Sequence, residues 1–124
     1  MAEEKKSKLE SVLAKLKAVG DIEASAVVRR DGLVIADNLP GSINNRTVAA
    51  MSAAIVGTAE TSSAELQRGR FLQVIVESEK GKLVATGAGQ LAILVCLIRP
   101  TANLGLVLLE MGKVSGEISN MLGR

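Results

Sequence analysis

The side chains that carry most enzymatic chemistry are sparse in this chain. It has no histidine and no tyrosine, and its one cysteine, Cys96, sits inside the apolar run LAILVCLI. The usual general bases, zinc ligands and activated nucleophiles are therefore missing, and catalysis would have to rest on carboxylates, lysines or hydroxyls. Four carboxylates that could serve have structural readings instead: Asp31 belongs to a turn, Asp37 to a strand end, and Glu60 and Glu65 to the exposed end of a helix. No acid/base pair emerges. Gly81 and the Gly87-Ala88-Gly89 segment have the composition of a phosphate cradle, but neither precedes the Gly-Lys-Ser/Thr of a P-loop and each leads into a strand instead of a helix N-terminus. They read as turn glycines. Arg68 and Arg70, flanking Gly69, would be the guanidinium donors to a phosphate held by a partner, against a plain reading as solvated surface. The chain is expected to be no enzyme, with no catalytic residue, no cofactor, no metal and no small-molecule substrate.

Composition narrows the field further. At 124 residues the chain reads as one domain, 1–124, with Phe71 as its only aromatic, so its core must be aliphatic. The formal charge is +2, and the lysines gather between Lys5 and Lys17 among glutamates, as on a solvated helix face. Nucleic-acid binding would call for a basic patch with stacking aromatics, which is lacking. A lone cysteine admits no internal disulfide and reads as a buried thiol in a reducing compartment. The start, MAEEKKSKLES, has no apolar core of a secretory signal, and the longest apolar run, residues 91–98, is far short of a spanning helix. A cytoplasmic location without membrane insertion is expected.

The elements that position these residues follow from periodicity. Leu9, Val12, Leu13 and Leu16 recur at helical spacing, giving an amphipathic helix over about residues 3–18 with Gly20 as its stop. Two short β-prone runs, 25–30 and 33–37, meet at Asp31-Gly32, a strong hairpin signal. After the break at 38–42, Asn44 or Ser42 caps a helix that runs to about residue 66. Residues 71–78 alternate Leu72, Val74 and Val76 with Gln73, Ile75 and Glu77, as a half-buried strand does. A turn at 79–81 leads to a strand at 82–86, and Gly87-Ala88-Gly89 turns the chain into LAILVCLI. That run is apolar on both faces and predicts an interior strand with helices above and below the sheet. From about Asn103 a last helix lines up Leu104, Val107, Leu108, Met111, Val114, Ile118 and Leu122. Gly105, Gly112, Gly116 and Gly123 align beside that stripe. Glycine inside a helix costs about 1 kcal/mol relative to alanine, so a close backbone, that of the first helix, is expected along this edge. The order α-β-β-α-β-β-β-α predicts an α+β sandwich with a five-stranded, mostly antiparallel sheet between helices.

One segment stands apart. Between Arg46 and Glu60 run thirteen uncharged residues, TVAAMSAAIVGTA, within the middle helix. A surface helix normally keeps a charged stripe toward water. On a helical wheel Val48, Met51, Ser52, Ile55, Val56 and Ala59 share one side and suit the chain's own core. Ala50, Ala53, Ala54, Gly57, Thr61 and Ala64 share the other and suit close approach by a partner.

In their joint order, the hairpin VVRRDGLVIADN, the small-residue helix TVAAMSAAIVGTAE, the meander ending in LAILVCLI, and PTANLGLVLLEM resemble the Roadblock/LC7 family over essentially the whole chain. That family includes dynein light chains and prokaryotic regulators of Ras-like small GTPases, and its fold is a profilin-like sandwich. The resemblance implies a homodimer in which the middle helices pair and the strand after them joins its twin. Carried onto this chain, the pairing residues are Ala50, Ala53, Ala54, Gly57, Thr58 and Thr61 on the helix, and Leu72, Val74 and Val76 on the strand. Met51, Arg68 and Arg70 are candidate contacts to a further partner. The expected role is a noncatalytic, homodimeric module that binds a Ras-like small GTPase and changes its nucleotide cycle or location. The alternative is a light-chain-type scaffold that docks a peptide or larger complex without regulating a GTPase. A small-molecule sensor is a weaker reading, because Trp, Tyr and His are absent.

Overall fold

The fold is that of a computed structural model, which describes residues 2–123; the two end residues of the expected 1–124 domain lie outside it. Eight elements follow in the expected order: α1 (Ala2–Lys17), β1 (Ile22–Arg29), β2 (Val34–Asn38), α2 (Asn45–Glu65), β3 (Val74–Ser78), β4 (Gly81–Ala88), β5 (Ala92–Ile98) and α3 (Leu104–Leu122). The strands form one sheet in the order β2-β1-β5-β4-β3, and every neighbouring pair is antiparallel. LAILVCLI thus becomes the central strand β5, buried along nearly its whole length.

Helices cover both faces of this sheet. On one face α1 and α3 bury Leu9, Leu13, Leu16, Met111 and Ile118 against Val27, Leu94 and Cys96. On the other, α2 alone buries Ala49 and Val56 against Ala26, Ala85, Ile93 and Val95. This second core is the smaller of the two and takes small residues from both partners.

Local chemistry explains the boundaries. Glu3 and Glu4 open α1 while Lys15 and Lys17 close it, matching the helix dipole at both ends. The Asn44 Oδ1 accepts the Thr47 amide at 3.1 Å, and the Asn103 Oδ1 accepts the Leu106 amide at 3.1 Å, so both later helices begin on asparagine caps. In the β1–β2 hairpin the Gly32 amide donates to Arg29 O at 2.9 Å and the Arg29 amide to Leu33 O at 2.7 Å. Gly32 takes φ +94°, and a separate register slip, between Val27 and Val28, lies further along the ladder. Asp31-Gly32 is thus the end of a three-residue loop with a glycine bulge, not a two-residue turn.

Three expectations are corrected. The strand after α2 begins at Val74 instead of Phe71, because Thr86 Oγ1 donates to Leu72 O at 2.9 Å where a ladder bond would otherwise run. Gly87 and Ala88 belong to β4, and the turn falls at Gly89-Gln90-Leu91. Finally, no backbone approaches the glycines inside α3: an added methyl group would meet only the Asn103 side chain at Gly105 and nothing within 4 Å at Gly112 and Gly116, and only Gly123, past the helix end, lies close to another backbone, that of Gly89. α1 lies on the other flank, where Val12 and Leu16 share a crevice with Lys113, Val114 and Glu117. Long aliphatic side chains span that contact, so close backbone approach is not required.

Candidate functional site

The face of α2 that turns away from the sheet carries almost no charge. Val48, Ala49, Ser52 and Val56 form the buried row of the helix, while Ala50, Met51, Ala54, Gly57, Thr58 and Thr61 are exposed. Ala53 and Ile55 are half-buried at the boundary. Met51, assigned by the wheel to the chain's own core, is 49% exposed. The rest of the buried row keeps to the expected side at Val48, Ser52 and Val56, and Ala49 completes it against Ala26, Ala85, Ile93 and Val95.

The threonines make this face more apolar than their composition suggests. Thr58 Oγ1 donates to Ala54 O at 2.8 Å, and Thr61 Oγ1 donates to Gly57 O at 3.0 Å. Both hydroxyls are spent inside the helix one turn back, and methyl groups remain for an outside contact. With no side chain at Gly57, the surface there is shallow enough for another helix to approach.

Beside the helix lies an open sheet edge. β3 pairs with β4 from Val74↔Ala85 to Ser78↔Gly81, and its outer side has no partner among the described residues. Val74 is half-buried under the α2 core, Val76 is 38% exposed, and Leu72, 61% exposed, precedes the strand. The nine residues expected at a pairing surface are therefore split between an exposed helix face, a free strand edge, and the lead-in to that strand. Arg68 and Arg70 sit in the exposed loop from α2 to β3.

One cluster was not legible in advance. Arg30, at the hairpin tip, donates from Nη1 to both carboxylate oxygens of Glu60 at 2.6 and 2.8 Å, and from Nη2 to Gly89 O at 3.0 Å. It ties the hairpin, α2 and the β4–β5 turn together, and corrects Glu60 from a solvated helix end to a half-buried anchor. Gly87 makes room for it: a methyl group there would stand 2.9 Å from Arg30 Nη2. Partners separated by 30 and 59 positions leave no local signal.

Elsewhere the described residues offer little to chemistry. Burial pushes the Cys96 thiol up from 9.0 to about 12, so it stays a neutral, inert group at physiological pH. Ser25 and Ser52 bury hydroxyls that have no hydrogen-bond partner, and none of the three-residue His, Cys, Asp or Glu groups that hold metals is found. Among the described residues no helix is long and apolar enough to cross a membrane.

The family model described as the Roadblock/LC7 domain matches residues 8–98. The chain belongs to the Roadblock/LC7 family. A protein of Methanocaldococcus jannaschii, itself uncharacterized, is 40% identical over 113 residues, covering 91% of this chain and 98% of that protein. Among solved structures, MglB of Myxococcus xanthus superposes with a TM-score of 0.85 at 23% identity, covering 92% of this chain and 94% of that one. Profilin of Schizosaccharomyces pombe follows at 0.68 and 15%, covering 93% and 99%, which places the Roadblock/LC7 sandwich beside the profilin fold.

Proposed function

We propose that this Roadblock/LC7 domain is a noncatalytic regulatory module that dimerises through α2 and the free edge of β3 and offers the paired surface to a Ras-like small GTPase. The observation that carries the reading is the outward face of α2, which is exposed and uncharged from Ala50 to Thr58 and has its threonine hydroxyls turned inward. A helix that is apolar on its solvent side has a partner in its working state. A second copy is the partner argued for here, because small residues at Ala50, Ala54 and Gly57 suit an identical row, and the β3 edge beside them gains a strand by the same operation. Met51, Arg68 and Arg70 are then left for the GTPase, with the guanidinium groups at one end of the paired helices.

The test is self-association and nucleotide dependence together. Sedimentation at micromolar concentration is expected to give a dimer for the wild type and a monomer for Ala54→Arg, which places an unpaired charge in the seam. Immobilised wild-type protein is expected to retain a small GTPase of the same organism in one nucleotide state over the other, and Ala54→Arg neither. A monomeric wild type overturns the reading. Equal capture of GTP-loaded and GDP-loaded partner reassigns the domain to a light-chain-type adaptor.

A further inference from the structure

The α2 side of the sheet is not covered to its end. Register places Ala26, Val95, Ala85 and Val74 in one row across four strands, and all four pack in the core under α2. The next row, two residues along each strand, is Ala24, Leu97, Leu83 and Val76. It is equally apolar, yet Leu83 and Leu97 are half-buried and Val76 is 38% exposed, because α2 buries no side chain before Val48. Over Ala24, Leu97 and Leu83 of this row, but not Val76 at the β3 edge, opens a trough of about 570 Å³, walled on the far side by Leu39, Pro40 and Ile43 of the β2–α2 connection.

The rim is charged, and mostly one way. Lys17, Lys80 and Lys82 stand on it against Glu23 alone, three positive charges to one negative. Lys82 Nζ donates to Pro100 O at 3.0 Å, whereas Lys17 and Lys80 form no salt bridge among the described residues. We infer that this trough docks an acidic segment of a partner protein, its bulky aliphatic side chains lying on the Leu83–Leu97 row and its carboxylates meeting Lys17 and Lys80. A second copy of the chain is disfavoured by charge, since it would bring one lysine rim toward another. A small ligand is disfavoured by shape, since its surface would normally be buried by 70–90% or more, and a trough rimmed by exposed residues does not enclose it. A peptide needs only its anchors buried, with its flanks in water.

The inference stands apart from dimerisation and is tested on the full chain. A short fluorescein-labelled peptide of leucines alternating with aspartates and glutamates is titrated by anisotropy, beside a control with lysines in place of the acids. The acidic peptide is expected to bind, to weaken as salt rises, and to shift the Leu83 and Leu97 methyl resonances. The exposed double charge reversal Lys17→Glu with Lys80→Glu, checked for an unchanged melting temperature, is expected to weaken it by about tenfold or more. Absence of binding, equal binding of the lysine peptide, or undiminished binding by the reversal variant overturns the proposal. So does co-sedimentation with anionic phosphatidylserine vesicles while the peptide stays free, which would make the lysine rim a lipid contact.

Discussion

At the scale of single residues, two buried or half-buried groups set the chain's response to mutation and to pH. Arg30 holds three elements with one guanidinium, and its pair with Glu60 is part-buried, with 30% and 37% of the side chains exposed. Solvent screening reduces the value of such a pair, but the charged donor to Gly89 O is also lost on substitution, so Arg30→Met is expected to cost about 1–2 kcal/mol. Thermal melting would register this as a drop of several degrees, and Glu60→Gln, which keeps an acceptor, as a smaller one. Cys96 sets the alkaline limit. Its thiol ionises at about 12 in the fold against an ordinary value of 9.0, so between these values the unfolded chain has lost a proton that the folded chain keeps. Stability from this group is therefore intact below the unfolded value and falls as pH rises above it, by up to about 1.4 kcal/mol per pH unit. Urea melts at pH 8 to 10 are expected to show that alkaline slope in the wild type, and Cys96→Ala to flatten it. The burial of Cys96 was legible from its apolar neighbours in LAILVCLI. The Arg30 clamp was not, because nothing local distinguishes an arginine that reaches two distant elements from one that faces water.

At the scale of elements, periodicity identified all eight in order but erred where two faces of one element compete. The α2 wheel separated a bulky side from a small side, and bulk suggested which one faced inward. The bulky side does turn inward, through Val48, Ser52 and Val56, but the buried row is shifted to take in Ala49, and Met51 is left outward. The start of β3 failed for a related reason, since alternation at Phe71 to Gln73 is real, but a threonine hydroxyl on β4 replaces the ladder there. The α3 glycines are the sharpest case. Their alignment suggested close packing, yet Gly112 and Gly116 face open space. Gly112→Ala is accordingly expected to raise stability by about 0.5–1 kcal/mol, through better helix propensity and a less flexible unfolded chain. A chemical denaturation curve with an unchanged slope and a higher midpoint would verify it; a lower midpoint would restore a packing role for this edge.

At the scale of the whole molecule, one sheet face is sealed by two helices and the other by a single helix whose back is apolar. That asymmetry ties fold to function, because the face under α2 has the smaller core, the open edge of β3 beside it, and the lysine-rimmed trough at its end. A monomer with these features exposes aliphatic surface that water does not favour, and pairing two copies would cover α2 and the β3 edge together. Linkage then makes a thermodynamic demand. Where the dimer is the stable form, its melting temperature rises with protein concentration, since association removes folded monomer from the unfolding equilibrium. The wild type is expected to show this rise over a hundredfold range of concentration, and Ala54→Arg to melt lower at an unvarying temperature. A wild-type melting point independent of concentration, with a monomer in sedimentation, would mean that the apolar back of α2 is covered by a different protein from the start.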